Sequence, residues 1–225
     1  MRISADVEGR VVRAVKDTGY RPNALSRGLR TGTTHTIGFV SDTVATTPFA
    51  GHLIWGALDA ARERDHLLLI AETEGDRELE KEMIDAMHDR RVDGIVLASM
   101  YTREVRVVPA LLDGPSVLLN AVPVRGSHIA SVLPDEVEAG RTAAPVLLSA
   151  GHTEGIYLIG ADPKTDRAPK DSLAATQRLQ GIKEVMSSAC VPLAGGVMRP
   201  IWQPDEGYQA TKTLLKRNAK DSLMC

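Results

Sequence analysis

The chain has 225 residues, a hydrophobic content of 43%, a charged content of 25% and a formal net charge of −2. This length suits one large α/β domain or two small ones, and the charge balance excludes a chain that is basic throughout and built to coat nucleic acid. Aromatic residues make up only 4%, so the core must be built mostly from Leu, Val, Ile and Ala. Cys190 and Cys225 form no metal-like spacing and no disulfide framework, which predicts a reducing cytoplasm. The N-terminus has no apolar signal region, and no stretch reaches the roughly 18 apolar residues of a membrane span, so neither export nor membrane insertion is expected. The charge is unevenly placed. Residues 1–34 carry seven cations (Arg2, Arg10, Arg13, Lys16, Arg21, Arg27 and Arg30) against three anions (Asp6, Glu8 and Asp17), the kind of local positive field that polyanions bind.

In chain order, Ser4 is placed to cap a helix whose Val7, Val11, Val12 and Val15 recur at helical spacing, with Asp17-Thr18-Gly19 as its stop. Pro22 keeps Arg21 extended, and Asn23 caps a second, two-turn helix over about 24–30 that is too short to stand alone in water. From His35 the pattern changes. Strands are expected at 36–42, 66–71, 93–98, 116–120, 129–133 and 155–160, and helices at 48–64, 76–90, 135–150, 172–187 and 204–217. A weaker helix is expected over 103–112, and Ser222-Leu223-Met224-Cys225 reads as the start of another strand. The strands are continuous apolar runs, as expected for burial on both faces of a parallel sheet. Strands alternating with helices predict a doubly wound α/β fold, whose ligands sit beyond the carboxyl ends of the strands. That places interest on the loops after Val40, Ala71, Ala98, Leu119, Leu133 and Ile159.

Enzyme signatures are poor. There is no G-x-G-x-x-G after the first strand, no G-x-x-x-x-G-K-[ST], no nucleophile elbow and no H-E-x-x-H helix. The six histidines are scattered and are expected at the surface or at caps, and Cys190 as an unreactive thiol. No catalytic residue, metal ligand or cofactor is expected.

The run Gly19-Tyr20-Arg21-Pro22-Asn23-Ala24-Leu25-Ser26-Arg27-Gly28-Leu29-Arg30-Thr31-Gly32 resembles the hinge of the lactose-repressor-like (LacI/GalR) transcription regulators. Further segments resemble that family in order: Thr36-Ile37-Gly38, Arg90-Arg91-Val92-Asp93-Gly94-Ile95-Val96, Asp135 to Arg141 with Leu147-Leu148 and Ala150-Gly151-His152, and Arg178-Leu179-Gln180-Gly181. The resemblance implies an α/β, periplasmic-binding-protein-like fold with doubly wound parallel sheets in two subdomains, the second incomplete, after a remnant of a helical DNA-binding headpiece. The expected divisions are 1–22 for the last headpiece helix, 23–34 for the hinge helix and linker, 35–133 for the N-terminal effector subdomain and 134–225 for the C-terminal one. Relatives begin with a three-helix headpiece, whereas this chain starts at what resembles the third helix and stops near the family's A-N-D strand. Truncation at both ends is therefore expected, and with it impaired function and an open, association-prone sheet edge.

The resemblance also implies sites. Asn23, Ser26, Arg27 and Leu29 would face operator DNA, with Leu29 as the minor-groove wedge. Asp42, Phe49, Asn120, Arg178 and Trp202 would face a small effector, a sugar or related metabolite. The structural alternatives are a turn cap for Asp42, an ion pair with Glu184 or another surface acid for Arg178, and packing for Trp202. The implied function is a LacI-type repressor acting as a homodimer, with no membrane partner. The alternatives are a periplasmic-type sugar-binding protein without a DNA role, or a small Rossmann-like enzyme.

Overall fold

A computed structural model describes residues 4–19, 32–45, 47, 51–126, 128–165, 172–199 and 204–221, the last four of these for their backbone only. The expected hinge helix over 24–30 and the expected strand at 222–225 lie outside the described residues.

Helix α1 spans Ala5–Thr18, with Asp6 and Glu8 in its first turn and Lys16 in its last, all aligned with the helix dipole. Gly19 ends it in the left-handed region at φ 62°. Ser4 has the extended backbone of an N-cap, but its side chain makes no capping hydrogen bond, contrary to expectation. Val7, Val11 and Val12 are exposed along one stripe.

The next elements are β1 (Thr36–Ser41), α2 (Gly51–Arg62), β2 (Leu67–Glu72), α3 (Arg77–Asp89), β3 (Gly94–Val105), a 3-10 turn (Pro109–Asp113), β4 (Ser116–Pro123) and β5 (Ala130–Val132). The strands form a parallel sheet in the order β2-β1-β3-β4-β5. Helices cover both faces. Phe39 and Ala98 pack with Leu53, Ile54 and Ala57 of α2, while Val40, Leu97 and Leu118 pack with Met83, Ile84 and Met87 of α3 and with Leu111. Adjacent Phe39 and Val40 point to opposite faces and both are fully buried, which is why β1 reads as an unbroken apolar run. The edge strand β2 is the exception. Leu67 is 73% exposed, and Leu69 and Ile70 are also exposed, because no strand pairs outside β2 among the described residues.

The weak helix expected over 103–112 is not formed. Residues 103–105 extend β3, and only Pro109–Asp113 make a 3-10 turn. Val105, Val107 and Val108 are buried in the core below α3, and such β-branched residues favour extended backbone. Pro109 then holds Val108 extended at ψ 131°.

The chain continues with α4 (Glu136–Ser149), β6 (Ile156–Ile159), α5 (Leu173–Ser188), β7 (Leu193–Val197) and α6 (Pro204–Asp221). Strands β6 and β7 pair in parallel, with Ile156, Ala144 and Met186 at the core between them and the helices. Sequence patterning did not anticipate β7, Leu-Ala-Gly-Gly-Val, since glycine is poor in strands. Its glycines have a steric role. A Cβ on Gly196 would collide with the Ala161 carbonyl oxygen, so the loop after β6 can lie directly on this strand.

Helices α4 and α5 cross with backbones nearly touching. A methyl group on Gly140 would strike the Arg178 carbonyl oxygen, and one on Gly181 would strike the Val137 carbonyl oxygen. The glycine of the Arg178-to-Gly181 motif is thus a packing requirement, and it brings the first turn of α4 against Arg178. No helix among the described residues is long and apolar enough to cross a membrane.

Candidate functional site

Polar side chains gather at the carboxyl ends of β1, β3 and β4, where a doubly wound sheet offers its crevice. Asp42 follows β1. Its Oδ1 accepts from the backbone N–H of Thr43 at 2.7 Å and of Met100 at 2.9 Å, and its Oδ2 receives Nη2 of Arg103 at 3.0 Å. The Arg103 Nε donates to Ser99 Oγ at 3.2 Å. Strand β3 shifts register against β4 between Ala98 and Arg103, and this irregularity lifts Ser99 out of the ladder. Asn120 Nδ2 then donates to the freed Ser99 carbonyl at 3.0 Å.

Asn120 sits at φ 57°, a left-handed conformation that Asn tolerates better than most residues. Its Oδ1 accepts from Thr102 Oγ1 at 2.6 Å, and the same hydroxyl lies 3.3 Å from Oε1 of Glu136. One hydroxyl has one proton, so the nearer amide oxygen takes most of it. Glu136 is the first residue of α4, and its carboxylate is almost fully buried. Arg178 of α5 grips both of its oxygens, Nε on Oε2 and Nη2 on Oε1, the latter at 3.0 Å. The result is one continuous polar chain, Asp42–Arg103–Ser99–Asn120–Thr102–Glu136–Arg178, running from the first sheet to the α4–α5 pair.

Two further acids border it. Glu72 ends β2, and its Oε2 accepts from Ser41 Oγ and the Ala45 N–H, both at 2.9 Å, while its Oε1 is buried with no partner among the described residues. Burial raises the pKa of Glu80 on α3 above its ordinary value. Arg103 and Arg77 pull the other way, and Asp42 adds to the rise.

Of the residues anticipated for an effector, Asp42, Asn120 and Arg178 are therefore joined through intermediaries, and Phe49 and Trp202 lie outside the described residues. The DNA-facing set Asn23, Ser26, Arg27 and Leu29 lies outside them too. Asp42 holds its own turn and also pairs with Arg103. Arg178 does pair with an acid, but the partner is buried Glu136. Glu184 is taken by Arg141 at 2.8 Å. Sequence reasoning missed Ser99, Thr102, Arg103 and Glu136. Among the described residues, no group of three or more His, Cys, Asp or Glu side chains is placed to hold a metal ion.

At the other end of β1, the chain arriving from residue 34 is pinned by Asp93. Its Oδ1 accepts from the Thr34 N–H at 2.7 Å and from Thr34 Oγ1 at 3.1 Å, and its Oδ2 accepts from the His35 N–H at 2.7 Å. Desolvation opposes the charge of Asp93, but these hydrogen bonds outweigh it and lower its pKa below the ordinary carboxylate value.

The family model described as periplasmic binding proteins and sugar binding domain of the LacI family matches residues 34–218. The chain belongs to this family. Among curated LacI-type relatives, it is 29% identical over 228 residues to the HTH-type transcriptional regulator AscG of Escherichia coli strain K12, covering 99% of this chain and 65% of that protein. It is 27% identical over 216 residues to the ribose operon repressor of the same strain, covering 95% of this chain and 62% of that protein. The chain thus spans just under two thirds of the length of these relatives. The crystal structure of the Lac repressor dimer bound to operator and the anti-inducer ONPF superposes with a TM-score of 0.75 at 19% identity, covering 97% of this chain and 63% of that one, which establishes the shared fold.

Proposed function

We propose that this chain belongs to a LacI-type transcriptional repressor, a cytoplasmic, non-enzymatic regulator whose core binds a sugar or related metabolite. The observation that carries this reading is the polar chain from Asp42 to Arg178. It lies at the strand carboxyl ends and ties the first sheet to the helices that pack on β6 and β7. A hydroxylated ligand inserted there exchanges hydrogen bonds with both sides, so it binds two relative arrangements of the sheets unequally. Such differential binding is what shifts a two-state equilibrium. The readout is the segment ahead of Thr34, anchored to the core by Asp93. In the proposed protein the hinge residues Asn23, Ser26, Arg27 and Leu29 meet operator DNA as part of a homodimer, since two hinges are needed at a two-fold operator.

The test is a thermal-shift screen of mono- and disaccharides against the full chain, with R178A as control. The expected result is a concentration-dependent rise in melting temperature for at least one sugar, about 2.7 kcal/mol of stabilisation at a ligand concentration of 100 Kd, and its loss in R178A. A chain stabilised by nucleotides and by no sugar overturns the reading.

A further inference from the structure

We infer that Glu136 sets the charge class of the ligand, selecting neutral polyhydroxylated molecules over phosphorylated or carboxylated ones. The inference rests on the effector-site reading above and adds to it a residue and a ligand class.

Each arginine in the polar chain already has a carboxylate of its own. Arg178 holds Glu136 through two nitrogens, and Arg103 holds Asp42 at 3.0 Å. Glu72 adds a further acid at the end of β2, and its nearest hydrogen-bond partners are a hydroxyl and a backbone N–H. Among the described residues, the site therefore presents guanidinium groups whose charge is balanced, with no cationic excess for an anion to meet.

The balance is built in at Glu136. Its carboxylate is 2% exposed, whereas the Arg178 side chain is 46% exposed. Leaving Arg178 would cost the buried carboxylate both of its guanidinium contacts. It is further stabilised by its place in the first turn of α4, whose N-terminus favours a negative charge. A phosphate or carboxylate arriving at Arg178 meets a guanidinium that is already neutralised, with a fixed anion behind it. A hydroxyl group has no such conflict. It accepts from a guanidinium N–H and donates to a carboxylate oxygen, as the Ser41 hydroxyl does at Glu72.

The experiment is calorimetric titration of the full chain with matched ligand pairs that share one sugar skeleton: glucose and glucose 6-phosphate, ribose and ribose 5-phosphate, glucose and glucuronate. The wild-type chain is expected to bind the neutral member at least tenfold more tightly. E136Q, checked for a cooperative melt, removes the Glu136 charge from beside Arg178 and moves that ratio at least tenfold toward the anionic member. The double variant E136Q/R178Q carries neither charge and keeps the wild-type preference for the neutral member, with weaker binding. A wild-type chain that binds the anionic member as well as the neutral one, or an E136Q ratio equal to wild type, overturns the role of Glu136 while leaving the effector reading intact. Where the thermal-shift screen gives a different sugar, its own neutral and phosphorylated forms make the pair; if no sugar of the screen binds the wild-type chain, the effector reading itself fails and this inference fails with it. Even if E136Q does not fold, a wild-type chain that binds the anionic member as tightly as the neutral one overturns the inference.

Discussion

Arg178 and Glu136 share two nitrogen–oxygen contacts, yet the carboxylate is 2% exposed and the guanidinium side chain 46% exposed. Cutting the pair from either side therefore has unequal consequences. R178A leaves a buried carboxylate whose remaining side-chain contact among the described residues is Thr102 at 3.3 Å, and such orphaned charges are costly. E136Q leaves a cation that water already reaches. We expect R178A to lower stability by about 2–3 kcal/mol and E136Q by about 1 kcal/mol, the exposed half of the pair being screened. Urea unfolding at pH 7 measures both, and the reverse order would contradict the burial asymmetry.

Gly181 and Gly56 are both helical glycines and should respond oppositely to alanine. A Cβ at Gly181 runs into the backbone of α4, with the Arg141 nitrogen at 2.9 Å, whereas Gly56 on α2 has nothing within 4 Å. Alanine in a helix gains about 1 kcal/mol over glycine where there is space. G56A should thus raise the unfolding midpoint. G181A must force the α4–α5 crossing apart at a cost of about 1–3 kcal/mol, larger than the propensity gain. It should also displace Arg178 from Glu136. Paired thermal melts check the signs.

Asp93 should give the fold an acid-sensitive anchor. Its pKa lies below the ordinary 3.8 because Thr34, His35 and Thr36 hydrogen-bond its charged form. A group depressed in the folded state contributes stability that is fully present above its unfolded pKa and is lost as pH falls through its lower folded value. D93N should therefore be less stable than wild type by about 1–2 kcal/mol at pH 6–8, and the difference should shrink below about pH 4. Urea midpoints of the two proteins between pH 3 and 8 provide the comparison. A difference that grows in acid would rule the anchor out.

These residues also show where sequence reading reaches and where it stops. β1 and β4 are legible because Phe39-Val40 and Leu118-Leu119 feed layers on opposite faces, and unbroken apolar runs follow from that. Asp42 and Asn120 enter only through the family resemblance, and the structure joins them in one polar chain. Arg178 is legible only through its motif. Arg103 and Thr102 escape notice because the irregular end of β3 keeps no two-residue alternation, and charged residues followed by Leu111-Leu112 imitate a helix. Glu136 looks like an ordinary first-turn acid satisfying the dipole, and only the crossing at Gly140 and Gly181 turns it into a buried partner for Arg178. Strand β7 is hidden because its glycines serve close approach and not strand propensity.

Asn120 combines a backbone demand with two side-chain bonds, and three substitutions separate them. It sits at φ 57°, accepts from Thr102 and donates to the Ser99 carbonyl. N120A loses both bonds and places a Cβ residue without local hydrogen bonding in the left-handed region, for a cost of about 2–4 kcal/mol. N120G loses the same bonds but not the backbone tolerance, and should be about 0.5–1 kcal/mol less destabilising after glycine's extra unfolded-state entropy is counted. N120D keeps the tolerance and the acceptor for Thr102, but faces the Ser99 carbonyl with an oxygen and sets a second carboxylate across the Thr102 hydroxyl from Glu136. Its charged form is disfavoured in the fold, so its folded pKa must rise above the unfolded value of about 3.9. A raised acid pKa gives stability that is present at low pH and lost as pH rises through the folded value. The gap between wild type and N120D in chemical unfolding should therefore widen from pH 4 to pH 8, while the gaps for N120A and N120G stay constant over that range. A pH-independent gap for N120D would mean that position 120 does not couple to Glu136 through Thr102.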